Sequence, residues 1–247
     1  MRKIGGLFAS SAEWETRNIY WKFLDIVKLV ALSLLMSFLV YLVLGGRLDT
    51  YALLTLGRVV SLTVMVMVHI QYRFWPSAAE FGMKLYDFRR HLKTGVIWGL
   101  IAKFLPTLVI IAILLPLSVL FKELLAGIDL ESNLGMSTLP LFSLEWFALA
   151  FSAVVIAPVW EELLMRGIIY PYLRRDFGIK LAVVVSSLVF GLLHGFGFVI
   201  IPTFIAGIFL AALYERTGSL APCIIAHAVF NLIAVAAQII PGLAGLV

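Results

Sequence analysis

"APVWEELLMRGIIY", residues 157–170, sets Glu161 and Glu162 side by side inside a strongly apolar run, with Arg166 four residues after the second. If that run lies in a membrane, each ionised carboxylate costs at least about 2.5 kcal/mol even on lenient insertion scales. The rest of the chain says that it does. Its 247 residues are 62% hydrophobic and only 13% charged, with a mean hydropathy of +1.06. Soluble domains carry about a quarter charged residues and under half apolar ones. The excess here cannot be hidden in one water-facing core, whereas helical spans of roughly 20 residues absorb it, leaving room for about seven or eight. The sequence reads as an all-α, polytopic transmembrane helical bundle, a single membrane domain over residues 1–247.

Outward from the glutamates, apolar runs place spans at residues 24–44, 51–69, 96–121, 144–170, 179–198, 199–214 and 219–240. Between the second and third, Phe81, Leu85, Phe88 and Leu92 recur at helical spacing among Lys84, Asp87, Arg89, Arg90 and Lys93. That amphipathic pattern predicts an interfacial helix over residues 77–93. Pro106 and Pro116 fall inside the third span, where neighbouring helices can satisfy the freed carbonyls. The lone Cys223 excludes an internal disulfide framework. The N-terminal stretch lacks the apolar core and small-residue cleavage site of a removable signal peptide, so none is expected.

A net charge of +5 raises the question of nucleic acid, but the basic residues flank spans and no nucleic-acid partner is expected. Arg2, Lys3, Arg17 and Lys22 precede the first span; five Lys/Arg follow the second, and Arg174, Arg175 and Lys180 follow the fourth. The alternate loops carry only Arg47 and Lys122. With seven spans all the rich segments share one side, which predicts a cytoplasmic N-terminus.

Ionisable groups inside spans are few: Arg58, His69, Lys103, Glu145, Glu161, Glu162, Arg166, His194 and His227. Lys103, Glu145 and His69 are placed near span ends, and Arg58 suits a local salt bridge or carbonyl partner. Glu162 and Arg166 have the i, i+4 spacing of a helical ion pair. Glu161 points about 100° away around the helix and must face something else. Phe190 precedes His194 by one turn, and His227 and Asn231 share a face of the last span. From the cytoplasmic ends of their spans, Glu161, His194 and His227 sit at roughly 15, 20 and 12 Å, similar depths within the accuracy of the boundaries.

Carboxylate, two imidazoles and an amide, without a serine or cysteine paired to a base, point to activation of water. Glu161 would act as general base and His194 would position the water or shuttle its proton. His227 and Asn231 would donate to the oxyanion, a contribution of about 3 kcal/mol per donor. The reaction class is amide hydrolysis inside the membrane. The same Glu161, His194 and His227 also form a possible zinc set, although three separate helices supply them without an HExxH pair. A transporter would show internal repeats and broken helices, and none is visible.

"EELLMR" resembles the EExxxR motif of the CAAX protease and bacteriocin-processing family of intramembrane proteases. "FGLLH" resembles its FxxxH motif, and "TGSLAPCIIAHAVFN" its third block, ending in HxxxN. All three occur in the family's order within residues 145–235. The resemblance implies a glutamate-dependent, metal-independent endopeptidase related to the type II CAAX prenyl endopeptidase, needing no cofactor. Glu161, His194, His227 and Asn231 would then be catalytic and Glu162, Arg166 and Phe190 supporting. Residues 141–240 would be the catalytic core carrying the three motifs, and 1–140 N-terminal spans of unknown specificity. The implied partners are the lipid bilayer and a membrane-associated or lipidated peptide or protein substrate. A prokaryotic cell membrane is the expected location. The remaining alternative is a non-enzymatic immunity or scaffold protein of the same family, in which any of the four residues could be lost freely.

Overall fold

The computed structural model describes residues 22–44, 88–120, 142–194 and 199–244, and every regular element among them is helical. In order these are α1 (Phe23–Leu44), α2 (Phe88–Leu120), α3 (Leu144–Phe151), a π-helical turn π1 (Ser152–Ile156), α4 (Ala157–Leu164) and a second π-helical turn π2 (Met165–Ile169). Then come α5 (Tyr170–Leu193), α6 (Ile200–Thr217) and α7 (Leu220–Ala244). The expected span at residues 51–69, most of the interfacial helix, and Arg58 and His69 lie outside the described residues. So the total of seven or eight spans is a property of the sequence pattern.

Four described stretches are long and apolar enough to cross a membrane: Phe88–Ala112, Leu144–Leu193, Ile200–Thr217 and Leu220–Ile239. The second has 50 residues, which as one straight helix would reach about 75 Å, over twice a bilayer's hydrocarbon thickness. It folds back instead. Gly178 has φ 79° and ψ 170°, a conformation essentially confined to glycine. The reversal shows on the far side too: Arg166 Nη2 lies 2.9 Å from the Gly207 carbonyl. A Cβ on Gly207 would come within 3.0 Å of Ser187 Cα. On a straight helix residues 166 and 187 would stand about 30 Å apart. The hairpin's limbs coincide with the spans read at 144–170 and, as far as His194, at 179–198, with helix continuing up to the turn.

One boundary is corrected. Residues 88–93 are not the end of a separate interfacial helix but the first turns of α2, which runs unbroken through Gly95 and Val96. Gly95 serves packing. A Cβ there would sit 2.6 Å from Ile225 Cβ and 2.9 Å from the Pro222 carbonyl. One turn on, a Cβ on Gly99 would sit 2.6 Å from the Ala226 carbonyl. Small residues one turn apart let two membrane helices meet backbone to backbone, and the matched order shows α2 and α7 running the same way. Gly99→Leu is therefore expected to destabilise the chain by about 2 kcal/mol or more through overpacking. It should also impair the site, because the displaced Ala226 precedes His227; unfolding midpoint and turnover in detergent check both.

α7 is the central helix, packed against α2, π1, α4 and α6, while α5 lies along α6. At the basic end, Gly218 (φ 60°) makes the left-handed turn between α6 and α7. There the buried Glu215 carboxylate accepts from Tyr170 Oη at 2.8 Å and from Arg174 Nη2 at 2.8 Å, tying α6 to the hairpin. α1 reaches the bundle through Ile26, against Leu164 and Ile168. The distribution of polarity is that of a membrane protein. Glu162, Arg166, Ser186, Ser187, Glu215 and His227 are buried, while Phe38, Leu108, Leu181, Leu188 and Leu192 are exposed. In lipid it is polar groups that must be satisfied inside, and apolar ones that face out. The chain is an integral membrane protein.

Candidate active site

Pro158 and Pro171 shape the glutamate helix. Proline lacks an N–H and its ring clashes with the carbonyl four residues back, so the turn before each one widens. Ala157 N–H donates to the Ser152 carbonyl and Tyr170 N–H to the Met165 carbonyl, both five residues back. Such π turns recur at functional sites. Between them α4 is a regular helix, so Glu161 and Glu162 diverge by about 100°.

Glu162 faces inward and is fully buried, as is Arg166. Arg166 Nη1 donates to Glu162 Oε1 at 3.0 Å and Nη2 donates to the Gly207 carbonyl. The guanidinium lies over the Phe190 ring, with Cζ 4.9 Å from the centroid. The ion pair expected from spacing is present, but Glu162 also has a second function that spacing did not reveal. Its Oε1 lies 2.9 Å from His227 Nδ1, so a charge-neutralised carboxylate fixes the plane of that imidazole.

Glu161 turns the other way and keeps 13% of its side-chain surface exposed. Its Oε2 lies 3.4 Å from His194 Nε2 and 3.8 Å from His227 Nε2. His194 ends α5, with Nδ1 2.7 Å from the Phe190 carbonyl. Because a carbonyl only accepts, Nδ1 carries a proton, and the ring turns its Nε2 toward Glu161. Glu161 Oε2 is buried and receives no hydrogen bond. A buried carboxylate oxygen beside two imidazoles and without a donor is open to one from a bound molecule such as water. Phe190 braces both rings, 4.5 Å from His194 and 5.5 Å edge-on to His227.

Asn231, one turn beyond His227, donates through Nδ2 to the Ala153 carbonyl at 2.7 Å. Glu161, His194 and His227 therefore meet, and Asn231 is tied to the adjoining turn π1. Lys103 lies within α2 and packs inward, with Nζ 4.7 Å from the centroid of the Phe230 ring on α7. Glu145, in the first turn of α3, is exposed at a helix start as expected.

The His194, His227 and Glu161 donor atoms all lie within 4.8 Å of one another. With Nδ1 of each ring held by a carbonyl or carboxylate, the set also has the outer hydrogen bonds typical of metal-binding histidines. Residues 143–233, which contain every one of these groups except Lys103, match the family model described as type II CAAX prenyl endopeptidase Rce1-like. This part of the chain is similar to the Rce1-like family. No curated protein and no solved structure matches the chain. The Rce1-like match agrees with the resemblance carried by the three motifs and supports a CAAX protease in a membrane. The Rce1-like segment begins at Ser143, whose hydroxyl caps α3 by accepting from Trp146 N–H at 3.2 Å. It ends two residues after Asn231, so α1 and α2 lie outside it.

Proposed function

We propose that this chain is an intramembrane endopeptidase that hydrolyses a peptide bond of a membrane-associated or lipidated substrate. The observation that carries the reading is the buried, undonated Glu161 Oε2 facing His194 Nε2 at 3.4 Å. A water donating to both has its lone pairs free to attack a carbonyl carbon. Glu161 takes the proton as the C–O bond forms, and His194 holds the water and relays that proton toward the leaving amine. The tetrahedral oxyanion is met by Asn231, through its second amide hydrogen, and by His227 Nε2 when that ring carries both protons. Glu162 and Arg166 keep His227 in position. The basic ends of the helices, which hold Arg89, Arg174 and Arg216, lie on the cytoplasmic side in this reading.

Comparative proteomics of membranes from cells bearing wild type or Glu161→Ala tests the activity and its substrate together. A precursor that accumulates only in the variant, with its cleaved product only in wild type, supports the endopeptidase; identical peptide profiles reject it and favour a non-enzymatic immunity or scaffold protein. Asn231→Ala should slow cleavage of the substrate so identified by about 100-fold, the effect of one oxyanion donor. A turnover within threefold of wild type would remove Asn231 from the mechanism.

A second reading rests on the clustered donor atoms of Glu161, His194 and His227. A zinc ion held there would supply Lewis-acid polarisation of the water or carbonyl. Loss of activity to a chelator, recovery with zinc, and stoichiometric zinc in the purified protein would establish it.

A further inference from the structure

We propose that Pro158 is a positioning residue for Asn231, acting through the Ala153 carbonyl. In an α-helix that carbonyl would accept from Ala157 N–H, but this N–H is given to Ser152 instead. In a π-helix it would accept from residue 158, which is proline and has no N–H. Ala153 is thereby left with a carbonyl that its own helix cannot satisfy. Such a group in a membrane interior costs several kcal/mol unless another donor is found. The donor is Asn231 Nδ2, 2.7 Å away on α7.

The consequence falls on the asparagine. An amide side chain can present either end, and a carbonyl partner accepts only from the nitrogen. Anchoring to Ala153 settles which end of Asn231 is NH2 and leaves one N–H for a ligand. So the proline that precedes Glu161 by three residues shapes the helix of the general base and also orients a donor on another helix. The anchor itself stands on geometry; its value to catalysis rests on the hydrolytic reading above.

A four-member cycle of the full chain in detergent tests it: wild type, Pro158→Ala, Asn231→Ala and the double variant. With Pro158 present, Asn231→Ala should lower the unfolding midpoint by roughly 3–6 °C, because an acceptor that its own helix cannot satisfy is left bare. With alanine at 158 the turn can close on its own N–H groups, and the same change should cost under about 1 °C. Equal shifts in the two backgrounds overturn the anchor. If Pro158→Ala does not fold, Asn231→Leu, which keeps the volume and removes the donor, decides the matter: an unchanged midpoint overturns the proposal.

Turnover provides the second readout. Pro158→Ala should lower kcat about tenfold or more, and adding Asn231→Ala should then cost far less than the same change costs in wild type. Equal falls in the two backgrounds would mean that Pro158 does not act through Asn231, against the proposal. Coupled midpoints with a fully active Asn231→Ala would keep the anchor and remove the oxyanion role. An inactive Asn231→Ala with uncoupled midpoints would keep the hydrolase and remove the anchor.

Discussion

Glu161→Gln is expected to lower turnover by about a thousandfold while leaving the unfolding midpoint within about 2 °C of wild type. The substitution keeps the shape of the side chain and removes its basicity, and general-base catalysis contributes 10²–10⁴-fold in well-positioned cases. Stability should hold because Glu161 Oε2 receives no hydrogen bond that could be lost. Its neighbours at 3.4 and 3.8 Å are imidazole nitrogens, to which a glutamine amide can donate. Single-turnover cleavage of the substrate found by proteomics, beside thermal unfolding in the same detergent, makes the measurement. A glutamine variant with more than a tenth of wild-type turnover would remove Glu161 as the base.

Arg166→Met should do the reverse, damaging the fold first. Arg166 and Glu162 are both fully buried, and the guanidinium also donates to Gly207 and covers Phe190. Removing one partner of a buried ion pair strands the other charge, at a cost of about 3–5 kcal/mol. The loss should spread, because Glu162 Oε1 also holds His227 and Phe190 braces both imidazoles. Adding Glu162→Gln to the Arg166→Met background should recover part of the midpoint, since the stranded charge is then gone. Without such recovery, the damage would come from lost packing on Phe190 and Gly207 rather than from the carboxylate. The contrast between the two neighbouring glutamates is the signature: position 161 costs activity, position 162 costs stability.

Much of this was legible from the order of residues. Polar side chains are expensive in an apolar run, so each one that persists is informative. That is why Glu161, Glu162, Arg166, His194 and His227 stand out without any coordinates. The i, i+4 spacing of Glu162 and Arg166 depends only on one helix, and the ion pair is there. A glycine such as Gly95 looks the same in sequence whether it ends a helix or admits a neighbour, and only the approach of Pro222 and Ile225 tells them apart. The direction of Lys103 depends on Phe230, which is 127 positions later in the chain.

By itself the sequence determined the solvent, the helical class, the intramembrane polar set and the neutralisation of one glutamate by Arg166. All of these follow from transfer costs and from a 3.6-residue period, which are local properties. The tertiary structure alone decided what each polar atom faces. Gly178 reverses the chain and brings His194 to Glu161. Glu162 holds His227, and Asn231 meets a carbonyl exposed by Pro158. These pairings join atoms on different helices, and a hydrogen bond is set by distance and angle in space, which spacing along one helix does not encode.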